Sequence, residues 1–132
     1  MTTFFKAYLL TIVPFIVLDA FWLGLIAPQF YRAQIGHLMA EQVNWPAAVL
    51  FYTLYIAGMV FFVSGPAIRS GDLRQALVRG ALFGLITYAT YDLTNQATLR
   101  DWPLLVTIVD MIWGITLGAL TALGATWLGC KI

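Results

Sequence analysis

Long apolar runs separated by short polar segments dominate this sequence, and they predict helices that cross a membrane. A helix needs close to 20 apolar residues to span a hydrocarbon core of about 30 Å. Four runs meet that requirement, and they set the predicted spans at 7–26, 45–64, 76–93 and 103–128. We therefore expect an all-α, polytopic membrane protein in which 1–132 forms a single transmembrane domain, folded as a four-helix bundle.

The segment between the first two spans has a periodicity of its own. Tyr31, Ile35, Leu38 and Met39 recur at helical spacing, with polar side chains between them. An amphipathic pattern of this kind predicts a short helix that lies at the membrane interface between helices 1 and 2. An extension of the first span through the interface explains the same pattern, so both interpretations stay open.

The composition supports a membrane location and excludes several classes of function. Hydrophobic residues make up 61% of the 132 residues and charged residues only 10%, whereas soluble proteins carry about 25% charged residues. The net charge of +1 gives no basic surface for nucleic acid. Cys130 is the only cysteine, which excludes an internal disulfide and a metal site built from cysteines alone.

The basic residues are divided unequally between the two sides of the predicted bundle. Arg32 and Arg100 lie on one side, and the other side carries Lys6, Arg69, Arg74, Arg79 and Lys131. Basic residues are enriched on the cytoplasmic side of a membrane. The division therefore predicts that both termini are cytoplasmic, which also requires the even number of spans that the hydropathy indicates.

Three aspartates lie inside the predicted spans, and they are the strongest candidates for a functional role. Asp19, Asp92 and Asp110 are three of only six acidic residues, and their spans place no Lys, Arg or His beside them. A charge at the centre of a membrane costs about 2.5–3.5 kcal/mol. At 1.5 Å per residue, all three fall in the outer half of the membrane. We expect them to meet there, although a hydrogen bond to a neighbouring helix or turn explains Asp92 equally well.

Small and polar side chains form two stripes that suggest how this meeting is arranged. Residues at intervals of four share one face of a helix, and the stripes consist of Gly80, Gly84, Tyr88 and Asp92 on the third span and Asp110, Gly114, Gly118 and Ala122 on the fourth. Small residues at this spacing allow close helix packing in lipid. The pattern predicts tight packing at the inner leaflet and a polar pocket at the outer one.

Aromatic and amide side chains complete the predicted pocket. Asp19 and Asp110 are each followed three residues later by a tryptophan. The predicted ligand-binding residues are Asp19, Trp22, Tyr88, Tyr91, Asp92, Asn95, Asp110 and Trp113. The aromatic belt at the membrane surface is the favoured interpretation of Trp45, Trp102 and also Trp22. The pattern predicts no metal site and identifies neither a catalytic residue nor a cofactor.

Several of these segments resemble a known family. The segments are Asp19 to Trp22, Tyr91-Asp92-Leu93-Thr94-Asn95, Ala97-Thr98-Leu99, Trp102-Pro103, and Ile108-Val109-Asp110 through Trp113-Gly114. They are similar to those of a family of small predicted bacterial inner-membrane proteins of unknown function, and the similarity extends over nearly the whole chain. The resemblance implies a bacterial inner (cytoplasmic) membrane and a complete chain. It implies no activity.

Three classes of function are compatible with these residues. The first is binding, with or without transport, of a cation, a proton or a small amphipathic ligand in an outer pocket of acidic and aromatic side chains. The second is an enzyme that acts on a lipid or another apolar substrate with an aspartate as general acid or base. The third is an accessory subunit of a larger membrane complex. Membrane lipid is the expected partner, with a second copy of the chain or a larger complex as further candidates.

Overall fold

Four long helices form the structure, a computed structural model that describes residues 2–132. The first consists of α1 (Thr2–Phe21), a π-helical turn (Trp22–Ile26) and α2 (Ala27–Ile35), and the second of α3 (Trp45–Met59), a π-helical turn (Val60–Ser64) and α4 (Gly65–Ser70). The third and fourth are α5 (Leu73–Thr98) and α6 (Leu104–Lys131). No strand occurs among these described residues, which confirms the all-α prediction.

Three of the four long helices are long and apolar enough to cross a membrane. They are Thr3–Leu38, Trp45–Ser70 and Leu104–Lys131, so the polytopic architecture is confirmed. The 26 residues of α5 span about 39 Å at 1.5 Å per residue, but its first two turns carry Arg74 and Arg79. A fourth crossing by α5 therefore stays a prediction, which its extensive packing along α6 supports.

Each π-helical turn ends two residues before a proline. Pro28 follows the turn at Trp22–Ile26, and Pro66 follows the turn at Val60–Ser64. Proline has no N–H group, and its ring clashes with the carbonyl four residues earlier, which here lies inside the widened turn. The helix predicted between the first two spans is therefore present as α2, and it continues the first helix instead of standing apart from it.

The long helices begin and end at residues that satisfy free backbone groups. The Asn44 side chain accepts a hydrogen bond from the Ala47 N–H at 3.2 Å, and the Asp72 side chain accepts one from the Gln75 N–H at 2.9 Å. Both are N-caps in the usual sense. Gly71 ends α4 with a φ of 69°, a left-handed conformation that glycine adopts without steric cost. These signals turn the chain sharply between α4 and α5.

Glycines bring α5 and α6 into direct backbone contact. A Cβ atom built on Gly84 would collide with the carbonyl oxygen of Gly114, and one built on Gly80 would collide with that of Gly118. No side chain other than hydrogen fits at these positions. The predicted close packing of the two small-residue stripes is therefore confirmed.

The two ends of the bundle differ in how tightly the second long helix packs. The basic end holds Lys6, Arg69 and Lys131, and the acidic end holds Asp19, Asp92 and Asp110. Among residues 45–54, next to the acidic end, no side chain is buried, whereas burial is frequent from Tyr55 onwards. The first half of α3 therefore packs more loosely than the second half and leaves a groove on each of its flanks.

Candidate functional site

Asp92 and Asp110 form a pair of carboxyl groups between α5 and α6. Asp92 is 0% exposed and Asp110 is 4% exposed, and the two side chains are neighbours. An ionised carboxylate can only accept hydrogen bonds, so a bond between the two needs a proton on one of them. Neither oxygen of Asp92 has a hydrogen-bond partner in residues 2–132. Two buried carboxyl groups therefore lie side by side without a basic partner among these residues.

Tyr31 donates a hydrogen bond from its hydroxyl group to Oδ1 of Asp110. It belongs to α2, so the segment beyond the π-helical turn reaches back to α6. Its ring stands edge-on to Trp22, with ring centroids 6.4 Å apart. Tyr31 was predicted to lie on an interfacial helix and was not among the predicted site residues. Tyr31 thus gives Asp110 an uncharged hydrogen-bond donor.

The two segments with an aspartate followed by a tryptophan meet through their indoles. Trp22 and Trp113 stack with ring centroids 4.7 Å apart and an interplanar angle of 8°, an arrangement that joins α6 to the π-helical turn after α1. Trp22 and Trp102 are both buried, so assigning them to an aromatic belt was wrong. Trp45 is 67% exposed and keeps the environment that a belt residue needs.

Asp110 also lines a groove on one flank of α3, which we call the α3–α5 groove. Its other lining residues are Phe51 of α3 and Thr87, Tyr88 and Tyr91 of α5, and its volume is about 290 Å³. Phe51 and Tyr91 are largely exposed on the outside of the bundle. The groove therefore opens sideways, towards lipid, with aromatic walls and one carboxyl group.

Asp19 lies in a second groove on the opposite flank of α3, the α1–α3 groove. This groove also measures about 290 Å³, and Tyr52 faces Asp19 within it. Its remaining walls are formed by Ile12, Phe15, Ile16, Ala20, Leu23 and Ile56. The structure thus brings Asp92 and Asp110 together and places Asp19 apart from them, with Tyr52 as a neighbour that the sequence analysis did not predict.

A ring of hydrogen bonds closes the bundle beside the aspartate pair. Trp102 donates from Nε1 to Oγ1 of Thr107 at 3.0 Å, and Thr107 donates onward to Oε1 of Gln96 at 2.7 Å. Gln96 completes the ring by donating to the backbone carbonyl of Trp102 at 3.0 Å. Asn95, one residue away, lines neither groove. The ring fixes the turn between α5 and α6, and Asn95 lies beside Tyr91 of the α3–α5 groove.

The electrostatic surroundings of the three aspartates contain no basic partner. The one ion pair among residues 2–132 joins His37 and Asp101 at 4.0 Å, and both side chains are exposed in the loops. No group of three metal-ligating side chains occurs in the same described range. The acidic end therefore offers negative or proton-binding groups in an apolar, aromatic setting.

Residues 4–127 match the family described as "Predicted membrane protein (DUF2177)". The match covers most of the chain, and the description names no activity. Comparison with curated proteins and with solved structures gives no match.

Proposed function

The chain belongs to this family of predicted membrane proteins, and from that premise we propose that it binds a small amphipathic cation in the α3–α5 groove. Asp110 carries the charge of the site, and Phe51, Tyr88 and Tyr91 supply its aromatic walls. The ligand enters from the membrane, since the groove opens on the flank of the bundle. Transport of the same ligand is an extension of this proposal.

The observation that carries the proposal is the position of Asp110. Its side chain is 4% exposed, has no basic partner among residues 2–132 and borders a groove large enough for a small ligand. A carboxylate in such an apolar setting is costly unless a positive charge or a proton accompanies it. An organic cation supplies that charge, and aromatic faces attract it by about 0.5–2 kcal/mol each.

The neighbouring carboxyl group gives the site a second property. Because Asp92 adjoins Asp110, two like charges would stand side by side if both groups were ionised. A cation that binds at Asp110 favours the ionised form there, while a protonated Asp92 avoids a second negative charge. Binding is therefore expected to weaken at low pH, where Asp110 is protonated as well.

The proposal is tested by equilibrium dialysis of tetraphenylphosphonium with the purified protein in lipid nanodiscs. Asp110→Asn should weaken binding at least tenfold, which corresponds to about 1.4 kcal/mol, because the amide carries no charge. Asp101→Asn is the matched control: it makes the same change at an exposed position of the same end. Equal affinities of the wild type and Asp110→Asn would contradict the proposal. A loss in Asp19→Asn alone would move the site to the α1–α3 groove.

We also propose a bacterial inner-membrane location with both termini in the cytoplasm. Lys6, Arg69 and Lys131 support this orientation, since all three lie at the basic end and basic residues favour the cytoplasmic side. The grooves beside α3 would then open into the outer leaflet.

A further inference from the structure

A third cavity lies at the basic end of the bundle, opposite the acidic end that holds the three aspartates. It measures about 510 Å³ and runs between the first turns of α1 and the π-helical turn that precedes α4. Phe4, Leu10 and Phe61 form apolar walls, and Lys6 and Arg69 stand among them. The cavity thus combines an apolar slot with two positive charges, the reverse of the charge found at the acidic end.

The Arg69 side chain is directed back along its own helix, towards the cavity. Its Nη1 atom lies 3.5 Å from the position of a Cβ atom on Gly65, one helical turn earlier, and Gly65 itself lines the cavity. No carboxylate pairs with Arg69 or Lys6 among the described residues. Two cations beside an apolar slot therefore lack a counter-charge from residues 2–132.

We propose that this cavity binds an anionic phospholipid of the surrounding leaflet. The phosphate diester would pair with Arg69, whose planar guanidinium group suits phosphate geometry, and with Lys6. An acyl chain would follow Leu10 and Phe61 towards the middle of the membrane. Basic pockets between membrane helices hold lipid headgroups by this combination of charge and apolar contact. The site is independent of the cation site proposed at Asp110.

The test compares the binding of two lipids that differ only in their headgroups, dioleoyl-phosphatidylglycerol and dioleoyl-phosphatidylcholine. The purified full chain is titrated with each in a neutral detergent, and the bound lipid is counted by native mass spectrometry. The wild type should retain the anionic lipid in preference to the zwitterionic one. The double variant K6Q/R69Q should lose about 30-fold in affinity for the anionic lipid, about 2 kcal/mol for two basic residues.

The matched control is R74Q/R79Q, which removes two positive charges from the same end without touching the cavity. It should change the affinity less than threefold. Arg69→Gln alone, at an exposed side chain, should lower the affinity about fivefold and decides the question if the double variant fails to fold. Equal losses in both double variants would reduce the effect to general surface charge. Equal binding of the two lipids by the wild type would overturn the proposal.

Discussion

Substitution of Gly84 by alanine tests the closest contact in the bundle. The added methyl group would collide with the carbonyl oxygen and carbon of Gly114. The obstacle is backbone, which cannot rotate out of the way as a side chain can. The only relief is to move α5 away from α6 along their whole contact, which loosens the packing around Gly80 and Gly118 as well.

The expected cost follows from two opposing effects. Extra atoms in a well-packed interior cost about 1–3 kcal/mol, and a backbone obstacle places Gly84→Ala at the upper limit. Replacing glycine by alanine within a helix stabilises the helix by about 1 kcal/mol. The net loss in the free energy of unfolding is therefore about 2 kcal/mol. Gly24→Ala is the matched control, because a Cβ atom there meets nothing within 4 Å, and it should leave stability unchanged or slightly raised.

Unfolding in mixed micelles with rising SDS content, followed by the loss of helical circular dichroism, measures this difference. A third variant, Gly58→Ala, should fall between the other two, since its Cβ atom would lie 3.5 Å from the Phe83 ring, an ordinary contact. The reasoning fails if Gly84→Ala is as stable as Gly24→Ala. Such a result would mean that α5 and α6 do not approach each other through their glycines.

Two further predictions concern Tyr31 and the orientation of the chain. Tyr31→Phe removes the hydrogen bond to Asp110 and should lower the free energy of unfolding by about 1.5 kcal/mol. Tyr8→Phe is the control and should change it little, because the Tyr8 hydroxyl makes only a long, exposed bond of 3.3 Å to the Thr53 carbonyl. Equal effects of the two substitutions would refute the role of Tyr31. In a Cys130→Ser background, a membrane-impermeant maleimide added to intact cells should label Ala97→Cys and not Ser70→Cys, and the opposite result would reverse the proposed orientation.

The parts of the fold that follow regular helical periodicity could be predicted from the sequence. Along α5 and α6 every fourth residue keeps the same face, so the contact of Gly80 and Gly84 with Gly114 and Gly118 followed from spacing alone. Hydropathy located the long helices as well, because it depends only on the composition and length of each apolar run. The proximity of Asp92 and Asp110 was predicted in the same way, because each lies at the end of one of the two stripes that pack together.

The position of Tyr31 could not be predicted, because the helix changes its pitch before it. An α-helix turns about 100° per residue, so the nine residues from Trp22 to Tyr31 would place the two on opposite faces of a regular helix. The π-helical turn takes up about one extra residue and brings both towards α6. The contact of Tyr52 with Asp19 was missed for another reason: hydropathy does not reveal where α3 packs against α1 and where it leaves a groove.

The sideways opening of the α3–α5 groove changes which concentration governs its occupancy. For a ligand that arrives through lipid, occupancy of the site depends on the mole fraction of the ligand in the bilayer. The concentration of the ligand in the buffer matters only because it sets how much ligand partitions into the bilayer. At a fixed total amount of an amphipathic cation, adding empty vesicles should therefore empty the site by surface dilution. Affinities for such a ligand become comparable between membranes only after they are expressed as mole fractions in the bilayer.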